Sequence, residues 1–454
     1  MIQLLHQFPT LTSDVPGFCN LVKHDIKLIS DELTPIKQAP YRIHPSKRDI
    51  MKKEIDFLLE HNLAEPSLSP WASPCILDPK PDGTSRLCTD YRKVNSVTVP
   101  DSYPLPHIDD LIDNIGKSSY ITTLDLMKGY WQVGLTDRAQ EISAFVTPFG
   151  LYQYTVLSFG LMNAPATFQR LMNGIIQDLP NTAAYLDDVV VWSDTWEEHR
   201  ESLHHLLGRL QDAGLTINLA KSKFAQATVT YLGHQVGQGI VRPKSANIDT
   251  IRCHPTPHNR KSLMRFLGMC GFYRRFCPNF SSLAAPLTNL TSSKIPFKWT
   301  HDTEQAFNTL KTLLSSSPVL RAPDFSRPFH LQIDASGMGV GAVLLQEDLD
   351  SYILHPVAYH SAKLKPHQVH YSTIEKEGLA LVMAVNRFQC YLQGHPHPVQ
   401  VFSDHNPLVF IHNMKNKNQR MLRWALLLQP YNLQIRHIRG VDNILADTLS
   451  RAPT

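Results

Sequence analysis

The 454-residue chain contains no uninterrupted apolar run of the roughly 18 residues a membrane-crossing helix needs, which argues against membrane insertion. Its first twenty residues carry His6, Pro9, Asp14 and Pro16 where a signal peptide would be apolar, and they lack the basic amphipathic pattern of a transit peptide. Cysteine is scarce: Cys19, Cys75, Cys88, Cys253, Cys270, Cys277 and Cys390 form an odd, scattered set without a C-x-x-C pair. That spacing excludes a disulfide scaffold, predicts no structural zinc and fits reduced thiols inside the cell, in cytoplasm or nucleus rather than secreted. Repeats and low-complexity tracts are also missing. What remains is ordinary globular material, 43% hydrophobic and 19% charged, long enough for about three domains and large cores.

The net charge is only +4, but it is unevenly spread. Ile240 to Arg327 holds thirteen Lys/Arg against four acids, so this span carries +9 and the rest of the chain −5. Aromatics lie among these cations, as in Phe272-Tyr273-Arg274-Arg275-Phe276. Cations displace condensed counterions and flat rings stack on bases, so the stretch suits a polyanion, although a solvated basic face would read the same way.

Along the chain, residues 1–45 are Pro-rich and irregular and are expected to wrap a surface. Residues 46–63 read as a helix, 71–160 as short strands with turns, and Glu197 to Ala213 as an amphipathic helix. Residues 260–290 look helical, and Thr291–Pro296 and Ser315–Pro323 are the candidate linkers. From Pro328 the order strand, Gly-rich turn, strand, helix, strand, helix predicts an α/β unit. The cuts fall near 240 and 325, giving an extension (1–45), a first domain (46–240), a basic connector (241–324) and the α/β domain (325–454).

Two acidic constellations stand out. Tyr120 to Leu126 reads as a strand with Asp125 near its end, and Ala183 to Trp192 reads as a hairpin with Asp187 and Asp188 near the tip. A structural turn would more often use Asn-Gly or Asp-Gly, because adjacent carboxylates repel. Divalent cations would neutralise them, and two Mg²⁺ could activate a hydroxyl and steady a leaving pyrophosphate. An exposed acidic hairpin is the competing reading. Farther on, Phe329 to Asp334 and Val399 to Asp404 read as strands that each end in Asp, and Tyr371 to Phe388 as a helix. On that helix Glu377 falls within the stripe of Ile374, Leu381, Ala384, Val385 and Phe388, whereas Glu375 lies at its edge. An inward carboxylate is costly unless paired or metal-bound, which favours Glu377 as the functional acid. Alone, Asp404 could cap a helix starting at Asn406-Pro407, and Asp447 could be a solvated first-turn acid.

Tyr185-Leu186-Asp187-Asp188, with Asp125 upstream, resembles the Tyr-x-Asp-Asp box of reverse transcriptases. Ser69 to Pro74, Asp90 to Asn95, Leu157 to Gln169 and Tyr231 to His234 agree in order and type with the Gypsy-type LTR retrotransposon polymerase. Asp334-Ala335-Ser336, Glu375-Lys376-Glu377, Ser403-Asp404-His405 and Ala446 to Arg451 resemble that family's ribonuclease H boxes. The resemblance covers nearly the whole chain from about residue 30 and implies a mixed α/β (α+β) fold. In that fold a right-hand polymerase with fingers, palm and thumb/connection precedes an RNase H-like α/β domain. It implies RNA-directed DNA polymerase and RNA–DNA hybrid ribonuclease activities, with two Mg²⁺ per active site, Mn²⁺ as the substitute. Asp125, Asp187 and Asp188 would hold one pair of ions; Asp334, Glu377, Asp404 and Asp447 the other.

The resemblance also makes Tyr130 the steric gate against a ribose 2′-hydroxyl and Phe159 part of the nucleotide pocket. Lys80 and Arg86 become fingers cations on the triphosphate, and Leu232, Gly233 and His234 the primer grip. His437 becomes the histidine that assists proton transfer or product release. From the residues alone, Tyr130 could be a core aromatic, Lys80 and Arg86 solvated cations, and His437 part of a basic loop with Arg436 and Arg439. One departure is visible: where the family commonly has a run of lysines, Cys75 to Gly83 keeps only Lys80, and Asp78 adds the opposite sign.

The implied partners are an RNA template, a DNA primer, the RNA–DNA hybrid and deoxynucleoside triphosphates. No membrane is expected among them, and a homodimer is one assembly the resemblance allows. The connector should bind backbone charge with little sequence preference. A domesticated, non-enzymatic nucleic-acid binder and a ribonuclease H with a dead polymerase half are the alternatives. All seven carboxylates survive, which favours the enzyme. The chain shows no Asp-Ser/Thr-Gly protease box and no integrase-type His/Cys set, so a segment of a longer polyprotein is expected.

Overall fold

A computed structural model describes the chain apart from residues 14, 80–84, 317–318, 349–351, 405–418 and 440–454. The fold divides into two compact units, Met1–Leu111 with Ser118–Val229, and Ile112–Lys117 with Thr230–Thr454. No helix of the described residues is long and apolar enough to cross a membrane, and all seven cysteines are free thiols.

At the centre of the first unit is a four-stranded antiparallel sheet. Its strands are β1 (Tyr120–Asp125), β2 (Thr182–Tyr185), β3 (Asp188–Ser193) and β4 (Lys223–Gln226), in the order β4-β1-β3-β2. Val189, Val190 and Val191 are all fully buried, so β3 runs through the core as an unbroken β-branched stretch, the residue type that packs best on a pleated surface. Two helices belong to the same core. α1 (Ala164–Ile175) opens with proline in its first turn and buries Ala164, Phe168, Leu171, Met172 and Ile175, a helical-period stripe. α2 (Trp196–Asp212) is capped by Thr195, whose side chain accepts from the Glu198 N–H, with Glu197 and Glu198 favourably placed on the helix dipole.

A second sheet in this unit has the order Ala64–Pro66, Gly150–Tyr154, Phe145–Thr147, Ser73–Pro79, Ser85–Thr89. The N-terminal segment corrects the expectation of a surface wrap. Cys19–His24 pairs in parallel with Val133–Leu135, and Leu11, Cys19 and Ile26 are buried in the core.

In the second unit, the strands Val229–Tyr231, His234–Gly237, Ile240–Pro243 and Leu320–Arg321 form a small sheet. The expected cut near 240 therefore falls inside the hairpin His234–Gly237/Ile240–Pro243. The division between units lies at Val229–Thr230, and the 241–324 connector shares a unit with the 325–454 domain. Ser315–Pro323 is not a free linker either, because Leu320–Arg321 hydrogen-bonds into that sheet. The helices Arg260–Phe272 and His301–Ser315 bury Phe266 against Phe307, with ring centroids 4.5 Å apart.

The rest of this unit is an α/β layer. Its strands are β5 (His330–Ala335), β6 (Gly339–Glu347), β7 (Leu354–Lys363), β8 (Val399–Ser403) and β9 (Leu433–His437), in the order β7-β6-β5-β8-β9. β5, β6 and β7 are antiparallel, while β8 and β9 run parallel to β5. Leu331, Ile333, Val399 and Val401 share a core with Leu381, Ala384, Val385 and Phe388 of helix α3 (Thr373–Arg387). The period-two and period-3.6 patterns thus meet along one seam.

Candidate active sites

In the first unit, antiparallel pairing sets Asp188 at the start of β3 directly opposite Asp125 at the end of β1. The tip between β2 and β3 is Leu186-Asp187, with Leu186 at φ 56, a left-handed conformation uncommon for a branched side chain. Buried Gln169 on α1 braces it: its Oε1 accepts the Leu186 N–H at 2.8 Å and its Nε2 donates to the Ala184 carbonyl at 2.9 Å. The Leu126 N–H donates to the Asp187 carbonyl at 3.0 Å, the Asn218 N–H to the Asp125 carbonyl at 2.7 Å, and the Asp125 N–H to the Ser222 hydroxyl at 3.2 Å. Gly129, at φ 28, lies against Asp187 so closely that a Cβ there would stand 2.9 Å from the aspartate Cβ. The carboxylate-bearing backbone is therefore held from several sides.

Electrostatics follow from this crowding. Burial first, then Asp187 and Asp125, push the Asp188 carboxyl up to about 6, with Lys221 opposing. Asp125 is also raised, by burial and by Asp187, against the Lys221 ammonium 3.7 Å away. Clustered carboxylates that resist ionisation fit the hard oxygen donors a divalent cation takes.

Beside them is a cavity of about 270 Å³ lined by Arg86, Asp125, Lys128, Trp131, Phe159 and Asp187, among others. The Arg86 guanidinium lies 5.5 Å over the Phe159 ring. Tyr130 sits in a 3₁₀ turn rather than at a strand start, with its ring 5.0 Å from Phe159 and 5.5 Å from Phe168. Burial and then Asp187 push its hydroxyl up to about 12, so it stays neutral. Lys80 lies outside the described residues.

Leu232, Gly233 and His234 belong to the second unit, where Leu232 and Gly233 turn the chain at φ 43 and 83. The Tyr273 hydroxyl donates to the Gly233 carbonyl at 2.8 Å, and the buried His234 ring lies 5.3–5.6 Å from Phe272, Tyr273 and Phe276.

In the α/β layer, Asp334 on β5, Glu377 on α3 and Asp404 just past β8 come together. One carboxylate oxygen from each lies within 4.8 Å of the others, and among the described residues this is the one such group of His, Cys, Asp and Glu. The three palm aspartates share a strand end without being gathered that tightly. Glu377 is 2% exposed; its Oε1 accepts the Ala335 N–H at 3.0 Å and its Oε2 the Ser403 hydroxyl at 3.3 Å. Burial first, then Asp334 and Asp404, raise it to about 8.

Glu375 has a different task. It closes the capping box with Ser372 at the start of α3 and pairs with Arg420 at 2.6 Å. His437 ends β9, next to β8, and its Nε2 lies 3.1 Å from the Asp404 carbonyl. Asp447 falls outside the described residues.

Sequence reasoning assigned no role to Gln169, Lys221 or Ser403. A glutamine on the buried face of an amphipathic helix was a usable signal for the first. Lys221 had none, since a loop lysine reads as solvated.

Two family models match this chain, "Reverse transcriptase (RNA-dependent DNA polymerase)" over residues 78–236 and "RNase H-like domain found in reverse transcriptase" over 299–401. The chain is 36% identical over 446 residues to the "Retrovirus-related Pol polyprotein from transposon 297" of Drosophila melanogaster, covering 96% of this chain and 41% of the relative. It is 34% identical over 448 residues to the "Transposon Tf2-3 polyprotein" of Schizosaccharomyces pombe, covering 97% and 33%. The chain thus spans about two fifths or less of the length of these relatives.

Among solved structures, a foamy viral protease–reverse transcriptase in complex with double-stranded DNA superposes with TM-score 0.85 at 24% identity, over 96% of this chain and 78% of that one. The foamy viral protein in complex with an RNA/DNA hybrid gives 0.79, over 100% and 61%. At that identity the likeness speaks to the fold, a reverse transcriptase followed by an RNase H-like domain. The chain carries these two domains in series, and its relatives are Pol polyproteins of Gypsy-type transposons.

Proposed function

We propose that the chain copies RNA into DNA at the palm and cleaves the RNA strand of RNA–DNA hybrids at the RNase H-like site. Its partners are then an RNA template, a DNA primer, the hybrid and deoxynucleoside triphosphates. The observation that carries this reading is the gathering of Asp334, Glu377 and Asp404, in a chain whose palm also sets Asp125 opposite Asp188. Both donor sets are anionic, all-oxygen and mutually repelling, which suits Mg²⁺, with Mn²⁺ as the substitute. Asp125, Asp187 and Asp188 would hold the ions of the polymerase, and Asp334, Glu377 and Asp404, joined by Asp447, those of the nuclease. Bound there, a pair of such ions supplies activation of the attacking oxygen and relief of charge on the leaving one.

The chain's own residues do the remaining work. The Tyr130 ring, packed on Phe159, would exclude a 2′-hydroxyl. Arg86 and Lys80 would take phosphate oxygens, arginine in bidentate fashion. Leu232, Gly233 and His234 would hold the primer strand. His437, beside the Asp404 backbone, would move a proton or help release product. The nuclease would choose RNA by reading 2′-hydroxyls across the minor groove. An intracellular setting, cytoplasmic or nuclear, goes with this function, and a homodimer is the assembly to test by sedimentation of the full chain.

The test is primer extension on an RNA template with Mg²⁺ or Mn²⁺, followed by assay for template fragments. Asp125→Asn should abolish extension and spare hybrid cleavage, and Asp404→Asn should do the reverse. Loss of both activities from either change in a folded protein would refute the two-site reading.

A further inference from the structure

We propose that the Lys128 ammonium binds the phosphates of the incoming deoxynucleoside triphosphate, as a cation contributed by the palm itself; this rests on the polymerase reading above. Lys128 follows Asp125 by three residues and occupies the left-handed region at φ 56, ψ 15. Lysine is a poor choice there, since Gly, Asn and Asp take that conformation at less cost. A strained residue beside catalytic carboxylates calls for a reason, and the reason offered here is where its side chain ends.

The ammonium lies 4.5 Å from the Trp131 ring centroid and 5.3 Å from that of Phe57. Such ring faces fix the position of a cation by their quadrupoles without removing its charge. Lys128 and Arg86 line the same 270 Å³ cavity as Asp125 and Asp187. The lining contains three cations (Arg86, Lys128, Lys221) and three carboxylates (Glu54, Asp125, Asp187). Lys221 is paired with Asp125, leaving Arg86 and Lys128 to face a ligand, with Glu54 as the remaining acid of the wall.

A triphosphate brings about four negative charges, more than one arginine balances. The stretch Cys75 to Gly83 supplies a single lysine, Lys80. A cation at 128 makes up part of that deficit from the palm side. Its ammonium acts as a compact point charge, whereas Arg86 offers a planar fork, so the two would take different oxygens.

The experiment uses the full chain and three variants. Lys128→Asn removes the charge but tolerates the left-handed backbone, Lys128→Ala removes charge and stem, and Lys128→Arg restores the charge. Steady-state primer extension yields KM for the nucleotide and kcat. Inorganic pyrophosphate serves as a competing probe, and hybrid cleavage reports folding. The expected result is a rise in nucleotide KM of roughly tenfold for Lys128→Asn and Lys128→Ala, in line with loss of one charge-assisted contact. The pyrophosphate inhibition constant should rise in parallel, kcat should change by less than about threefold, and Lys128→Arg should recover most of the KM. An unchanged KM with an active wild type overturns the inference and leaves the polymerase reading standing. A fall in kcat alone, or a KM change without the parallel pyrophosphate change, also overturns it. A wild type that cleaves hybrid but extends no primer removes both the inference and the polymerase reading beneath it.

Discussion

A buried ionic node in the second unit allows a stringent test of the fold. The Arg275 guanidinium donates to Asp113 Oδ1 at 2.9 Å, and the Tyr391 hydroxyl donates to Asp113 Oδ2 at 2.5 Å. The two charged side chains are only 5% and 4% exposed, so water screens neither. Burial first, and then the Asp113 charge, push the Tyr391 hydroxyl well above its ordinary range, so it remains a donor. Asp113→Ala would leave a buried guanidinium without its carboxylate, and breaking a buried pair in this way costs about 3–5 kcal/mol. Tyr391→Phe removes one hydrogen bond to a charged acceptor, worth roughly 1.5–3 kcal/mol. The pair Asp113→Leu with Arg275→Met replaces both charges by apolar volume and should recover most of the loss. Guanidinium unfolding followed by the fluorescence of Trp299 and Trp424, the tryptophans of this unit, measures each variant. A loss below about 1 kcal/mol for Asp113→Ala, or a double variant no better than the single one, would refute the reasoning.

Other expectations follow from the two sites. With Glu377 raised from 4.5 to about 8, the protonated folded form is favoured. The associated stability is fully present below about pH 4.5 and is lost as pH rises through about 8, so metal-free protein should melt at lower temperature at pH 9 than at pH 5. Glu377→Gln should flatten that slope in chelator, and an unchanged slope would count against the burial argument. Gly129→Ala forces a Cβ to 2.9 Å from that of Asp187 and should cut primer extension at least tenfold while hybrid cleavage continues. Gln169→Leu leaves the Leu186 N–H and the Ala184 carbonyl without their partner, at about 1–3 kcal/mol for each unsatisfied group. It should lower extension more than it lowers cleavage, and equal loss of both would point to general unfolding.

Much of the local architecture was readable from residue order because it depends on short-range periodicity. A Tyr120–Asp125 strand, a hairpin turning at Leu186-Asp187 and the helices Trp196–Asp212 and Thr373–Arg387 follow from patterns of period 2 and 3.6. The same arithmetic separates Glu377 from Glu375, since two residues along a helix turn a side chain by about 200°. Where the reading failed, the interactions are distant in sequence. Cys19–His24 looks irregular by itself and becomes a strand only by pairing with Val133–Leu135. Leu320–Arg321 sits in a linker-like composition and is ordered by the edge of the strand Ile240–Pro243. The cut expected near 240 followed a change in charge, but charge lies on the surface and does not mark where a core ends.

The sequence alone determined the kind of chemistry, because carboxylates at strand ends and on an apolar helical stripe are expensive unless something cationic uses them. It also determined the order of the two domains and the types of residue available to each. Only the tertiary structure decided which acids share a pocket, that Gln169 and Gly129 hold the Asp187 backbone, and that Lys128 joins Arg86 around one cavity. It alone joined Asp113, Arg275 and Tyr391 into one node. The physical reason is that periodicity fixes the direction of a side chain relative to its own element, whereas distances between elements depend on how whole cores close-pack, which no local pattern encodes.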